Sequence, residues 1–447
     1  MNARSAVPGG RRSLLPLALG TALIALATLT PAGTGETLPP RWCLRCGSYW
    51  LTDAVSNVLL FVPFGAAVAA HVGRGARMRG IAVALACGAL VSLAVELLQA
   101  AGLPGGRSPA GADLLANSLG AAMGGALVAL WPLLSGARDG VARRLLALWT
   151  LGVVMIGGLT AIALGPRGSE PTGGAARWLP SELPHAPGMP FFGGGLTGTF
   201  VDSARLDGTV WRRGFAGPIL LATTDRPTTL RALVVAHGAD SLVGRVPLLF
   251  AHGRGEQEPV LMVAEHGTDA ELWTTRRAWD WGLMGPSVTV PGVFRGRDEA
   301  SAAALAFEAR VLPDRLVLVS RRLAGGARPA ADSLILTPAL GWVLTQSVVG
   351  PQDPGALVVA ALWIGMLAFG LGWWGRRSFD ARVPGWCMAG GALVAVSVAW
   401  TLAARWVAIH PPLLADAIAG TLGTAGGVVA AGWRRRDLAD RTVILPP

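Results

Sequence analysis

Runs of apolar residues long enough to cross a bilayer dominate this sequence and leave it few folds. About eight candidate spans are present, Leu14–Thr30, Ala54–Val72, Gly80–Leu103, Ala112–Leu134, Leu145–Leu164, Ala356–Trp374, Gly385–Val407 and Leu413–Trp433. A spanning helix takes about 20 consecutive apolar residues, because inside the hydrocarbon each backbone polar group must find its partner within the segment. Of the 447 residues 52% are hydrophobic and 15% charged, so the expected fold class is an all-α polytopic membrane bundle.

The formal net charge of +11 does not mark a nucleic-acid binder, because the arginines are dispersed by topology rather than gathered in a patch. Arg4, Arg11 and Arg12 precede the first run; Arg74, Arg77 and Arg79 follow the second; Arg138, Arg143 and Arg144 follow the fourth; Arg376, Arg377 and Arg382 follow the sixth; Arg434, Arg435 and Arg436 close the last. Every second connection is basic, which by the positive-inside rule puts both termini in the cytoplasm and residues 165–354 outside. Arg11-Arg12 before an apolar run resembles an export signal, but the runs that follow at once favour an uncleaved first span. Cys87 and Cys387 fall inside spans. Cys43 and Cys46 sit in an outward loop, where a local disulfide or two idle thiols are both open, and two ligands fall short of a zinc site.

Polar residues recur at helical spacing inside three of the apolar runs. Asp53 and Asn57 open one, Ser92, Glu96 and Gln99 lie late in the next, Arg107 is in the short link after it, and Asp113 and Asn117 open the third. Spacings of three and four put each set on one helix face, and the topology brings all of them to one membrane face. Asp53, Glu96, Arg107 and Asp113 are the candidate catalytic residues; Asn57, Ser92, Gln99 and Asn117 are the candidate ligand-binding residues. No metal is expected, and the residues name no cofactor. Mutual pairing, with Arg107 holding Asp113 or Glu96 and Asp113 at a helix start, is the structural alternative.

The last runs echo the earlier ones. Gly88-Ala89-Leu90-Val91 recurs as Gly391-Ala392-Leu393-Val394, and Pro109, Asp113, Gly120 and Gly124 recur as Pro412, Asp416, Gly423 and Gly427 at the same offset. Asp53 and Gly65 pair less strictly with Asp353 and Gly365. Two parallel four-helix repeats are expected, the second having lost most of the polar residues. The organisation reads as a four-helix membrane domain over 10–135, a fifth span over 141–164, a Pro- and Gly-rich linker over 165–195, an extracytoplasmic β-sandwich over 196–352, and three further spans over 353–436.

Within the inserted region, short strands broken by Gly, Pro and Asp are expected at Ile219–Ala222, Leu230–Ala236, Val246–Ala251, Val260–Ala264, Glu271–Thr275, Ser287–Val290, Ala304–Val311, Arg315–Ser320 and Ser333–Leu336. His237, His252 and His266 each precede glycine at a strand end; in a meander His252 would lie opposite the other two, so they read as turn residues. Trp273 reads as core, whereas Trp279 and Trp281 suit either core or a sugar platform. No Walker phosphate loop, GxSxG elbow or HExxH pair occurs anywhere.

Asp53, Asn57, Pro63-Phe64-Gly65, then Glu96-Leu97-Leu98-Gln99, then Arg107-Ser108 followed by Ala112-Asp113-Leu114-Leu115-Ala116-Asn117 and Gly120, resemble the VanZ-like family. The resemblance covers about residues 10–135, with an echo over 356–433. It implies a bacterial cell-envelope membrane protein, and the founding member is associated with teicoplanin resistance. Many members have His where this chain has Asn57, which separates it from any proton chemistry at that position. The inserted region is similar to a concanavalin or laminin-G type jelly roll, a likeness of fold only.

The expected function is recognition or modification of a lipid-linked cell-wall precursor or glycolipid headgroup at the outer membrane face, with the bilayer and an envelope glycan as partners. The alternative is a membrane anchor that presents a lectin-like or adhesion module. Transport is disfavoured because the charged residues gather at one face instead of forming a relay across the membrane.

Overall fold

The structure, a computed structural model, describes residues 14–30, 40–47, 49–72, 77–135, 139–166, 175–176, 199–206, 209–212, 219–220, 227–236, 245–252, 259–294, 303–323, 328–345, 350–379 and 382–443. The chain divides into two compact units, Met1–Gly136 and Ala137–Pro447.

The first unit holds α1 (Leu15–Thr28), α2 (Trp50–Val72), α3 (Arg77–Ala100) and α4 (Gly111–Ser135). α2, α3 and α4 are long and apolar enough to cross a membrane, whereas α1 has 14 residues. At 1.5 Å per residue α1 reaches about 21 Å, short of the roughly 30 Å hydrocarbon core. Of the about eight spans expected, seven helices therefore meet the length, and the first run does not. Pro16 opens α1, and the helix stops at Thr28, so the run Leu14–Thr30 is only partly helical.

These helices are built inside out relative to a water-soluble bundle. α3 turns Leu90, Leu93 and Leu97 outward and buries Ser92, Glu96 and Gln99; α4 turns Leu115 and Leu119 outward and buries Asn117. Such a pattern is stable only where lipid covers the leucines. Phe61, Phe64, Val68, Ala84 and Ala121, with Ile24 of α1, form the apolar part of the interior. α2 and α4 touch backbone to backbone: a Cβ on Gly65 would collide with Ala121, and one on Gly124 with Val62. With no hydrophobic drive between helices in lipid, this close approach gives the van der Waals contact that holds them.

The second unit holds α5 (Asp139–Leu164), α8 (Ala356–Arg377), α9 (Arg382–Trp406) and α10 (Leu414–Val443), of which the span-length portions end at Trp406 and Trp433. Two indoles lock α5 to its neighbours. Trp400 Nε1 donates to Val153 O at 3.0 Å and Trp149 Nε1 to Leu367 O at 2.7 Å. α8 and α10 make the same kind of backbone contact as α2 and α4, Gly372 against Thr424 and Gly427 against Phe369.

Between α5 and α8 lies an antiparallel-sheet region. β1 (Ala175–Ala176) pairs with β4 (Ile219–Leu220). A six-stranded sheet is formed by β2 (Thr199–Leu206), β3 (Thr209–Arg212), β5 (Thr228–Ala236), β10 (Ala303–Val311), β11 (Arg315–Arg322) and β12 (Ala330–Ile335), in the order β12-β11-β10-β5-β2-β3. A four-stranded sheet runs β6 (Arg245–His252), β7 (Pro259–His266), β8 (Asp269–Thr274), β9 (Ser287–Val290). Alternate residues are buried along β9 and β11, with Val288 and Val290 on one and Leu316 and Leu318 on the other, and the two strands are in contact. All nine expected strand positions carry strand. β1, inside the expected linker, and β2 and β3 are additional to these; in β2, Asp202 and a bulge between Val201 and Ser203 break the alternation that marks a strand.

His252 and His266 lie at opposite ends of the β6–β7 hairpin, while His237 and nearly all of the 165–195 linker fall outside the described residues. Trp273 is buried against Trp279, rings 5.3 Å apart and edge on, and Trp279 and Trp281 are half-buried. Arg276 is fully buried and donates to the carbonyls of Leu312 and Pro313 at 2.8 and 3.1 Å, clamping α6 (Arg277–Asp280) to the β10–β11 turn. Burial pushes its guanidinium down to about 10, with Asp314 opposing, so it stays charged at neutral pH. The sheets are tied to the helices by Arg277 Nε on Pro166 O at 3.0 Å and by the His410 N–H on Leu336 O at 2.9 Å.

Candidate functional site

The start of α4 organises the polar end of the first unit. A helix N-terminus leaves several N–H groups without intrahelical partners, and in a membrane a side chain or neighbouring backbone must meet them. The segment around the Cys43–Cys46 loop meets one, with Cys43 O accepting from Ala112 N at 3.1 Å, and is held in place by Trp42 N donating to Pro109 O at 2.8 Å. Cys43 and Cys46 are joined as a disulfide, which settles the choice the sequence left open. The buried N–H of Ala110 is met by Glu96, whose Oε2 accepts it at 2.7 Å.

That last bond is unusual beside the corresponding helix start in the second unit. There Asp416 caps its own helix, accepting from Leu413 N at 2.7 Å. Asp113 stands in the same position relative to Ala110, yet Glu96 of α3 takes the N–H instead. Asp113 is thereby left to face the Asn57 side chain of α2. One turn deeper, Asn117 Nδ2 donates to Ser92 Oγ at 2.9 Å. Glu96, Asn57, Ser92, Asp113 and Asn117 are thus brought together from three helices.

Arg107 does not hold Asp113 or Glu96 as an ion pair. Its Nε donates to Thr30 O at 3.0 Å and its Nη2 to Ala27 O at 3.1 Å, capping the end of α1. Those carbonyls are left without intrahelical partners because α1 stops there, and the planar guanidinium meets both with a fixed fork. The charge still acts through space on both Glu96 and Asp113. Asp53 is exposed in the first turn of α2, one turn before Asn57, and belongs to the rim. Gln99 is buried one turn beyond Glu96.

Donors and acceptors do not balance here. Asn117 is 2% exposed and its Oδ1 has no hydrogen-bond partner. A buried, unmet amide oxygen costs on the order of 1–3 kcal/mol, so a donor from water or a bound group would stabilise this end of the unit. Among the described residues no cluster of three or more His, Cys, Asp or Glu is arranged for a metal ion.

Sequence reasoning found the side chains of this cluster and missed their backbone partners. The carbonyls of Ala27 and Thr30 and the N–H of Ala110 carry no side-chain signal. The run Leu14–Thr30, expected as a span, does not itself show that α1 stops at Thr28 and leaves carbonyls open.

Residues 16–132 match the VanZ/LLP1 family. The match covers nearly all of α1 to α4 and every residue of the polar cluster, and supports for this unit the VanZ likeness carried by its motifs. No curated protein and no solved structure matches the chain. The VanZ/LLP1 match fits a multi-pass membrane protein, and the second unit lies outside it.

Proposed function

We propose that the first unit is a VanZ-like envelope domain whose polar end recognises or modifies a lipid-linked cell-wall precursor or glycolipid headgroup, and so contributes to glycopeptide resistance. The observation that carries this reading is the unmet Asn117 Oδ1, buried beside two carboxylates in an otherwise apolar unit. A carboxylate inside a span costs up to about 2.5–3.5 kcal/mol on insertion scales, and keeping two with a single guanidinium near them asks for a compensating function. The inserted sheets, on this reading a jelly-roll sandwich, hold an envelope glycan or protein nearby.

The polar end is read as facing outward. The basic connections all lie on the other side, and a disulfide at Cys43–Cys46 fits an oxidising compartment. Reporters active on one side of the membrane only, fused at Gly140 and at Gly325, should give opposite signals. Equal signals would overturn the orientation and the outer site with it.

The two units are read as a parallel duplication, with a changed register for α2. Gly65 meets Ala121 while Gly372 meets Thr424, and Val62 meets Gly124 while Phe369 meets Gly427. Ala121 and Thr424 stand at the same offset as Asp113 and Asp416, so the partner of Gly65 is Gly372, two helical turns beyond Gly365. Asn57 then corresponds to Ile364, and the second unit has no counterpart of the cluster beyond Asp416.

Deleting 196–352 separates headgroup function from anchoring. The truncated chain should keep the glycopeptide phenotype of the whole protein, in part or in full. Complete loss with normal membrane insertion would favour the anchor reading instead.

A further inference from the structure

We infer that the polar end of the first unit binds a primary ammonium group, seated against Glu96, Asp113 and Asn117; this rests on the headgroup reading above. Several acceptors remain open once the internal bonds are made. Glu96 gives Oε2 to the Ala110 N–H and retains Oε1. Asp113 faces Asn57, and its carboxylate has room for several donors. Ser92 Oγ receives the Asn117 amide N–H, and Asn117 Oδ1 receives nothing. Among the groups left over are three acceptors, two of them on acids and one the buried amide oxygen.

An ammonium group carries three donors and no acceptor on one small centre, with a positive charge. It meets an amide oxygen and two carboxylates together and brings the local charge of two acids and one guanidinium to neutral. An anion at the same place would meet two carboxylates and an unmet amide oxygen, all of which repel it. Hydroxyls would satisfy the oxygens and leave the charge unbalanced. The ammonium can come from a lipid headgroup or from a soluble amine.

The test uses the full chain in nanodiscs, with thermal unfolding and lipid titration as readouts. The probes are phosphatidylethanolamine, its N-trimethyl counterpart phosphatidylcholine, phosphatidylglycerol, and free ethanolamine. Phosphatidylethanolamine should bind about tenfold tighter than phosphatidylcholine, the scale of one charge-assisted hydrogen bond. Asn117→Leu should erase that preference. Asn117→Asp, which keeps an acceptor on either side of the carboxyl, should retain it, and both variants should unfold cooperatively. Stabilisation by free ethanolamine that Asn117→Leu abolishes supports the same site with a soluble amine as its source. Tighter binding of phosphatidylglycerol, sensitive to Arg107→Lys and indifferent to Asn117→Leu, would overturn the ammonium and leave a headgroup site. Indifference of every probe to both positions would overturn the headgroup site as well.

Discussion

Gly65→Leu should prevent α2 from seating on α4, and purified protein should be recovered in low yield or with a much lower unfolding temperature. A side chain there meets the backbone of Ala121, which cannot rotate aside as another side chain would. Overpacking costs about 1–3 kcal/mol where neighbours yield, and this site belongs at the top of that range or above it. Gly372→Leu meets the backbone of Thr424 and should cost a similar amount. Gly158→Leu is the control, since nothing lies within 4 Å of its Cβ position on α5. It should change stability by no more than about 0.5 kcal/mol. Wild-type unfolding for Gly65→Leu would contradict the helix packing on which the site depends.

Glu96→Gln and Arg107→Lys should leave the fold in place and remove the envelope phenotype. In Glu96→Gln the amide oxygen still accepts from the Ala110 N–H, and the cost of burying a carboxylate is relieved, so stability should be equal or higher. Arg107→Lys keeps the charge and gives up one of the two carbonyl bonds at the end of α1, a loss of about 0.5–1.5 kcal/mol. If the site acts on a headgroup, both variants should show the glycopeptide susceptibility of the deletion strain. Asp416→Asn alters a helix cap in the second unit and should show the susceptibility of wild type. Wild-type susceptibility in Glu96→Gln and Arg107→Lys alike would make the cluster a structural device for starting α4 and ending α1.

What could be read in the sequence follows from which interactions leave a residue signature. Span-length runs do, because lipid requires nearly unbroken apolar sequence, and seven of the expected spans are long apolar helices. The strands of the inserted region are marked by alternation, and the bulged β2 escaped for want of it. Side chains facing one another across α3 and α4 were legible as i, i+4 sets, Ser92 with Glu96 and Asp113 with Asn117. The assignment of partners was not. Arg107 turned to two carbonyls that only the early end of α1 makes available, and Glu96 took the N–H that Asp416 leads one to give to Asp113. Both depend on where backbone ends, which an apolar run defines to within a turn or so. The backbone contacts of Gly65 with Ala121 and of Gly372 with Thr424 were likewise hidden, because glycine and alanine recur so often in these helices that sequence does not single out the touching pair.

The most direct test is a high-resolution structure of the full chain in nanodiscs containing phosphatidylethanolamine. Non-protein density should lie within hydrogen-bond reach of Asn117 Oδ1, about 2.7–3.2 Å away, and between Glu96 and Asp113. Density continuous with a lipid headgroup would identify the source of the group. A protein donor closing on Asn117 Oδ1, with no room left beside the two carboxylates, would contradict a binding site at this end of the unit.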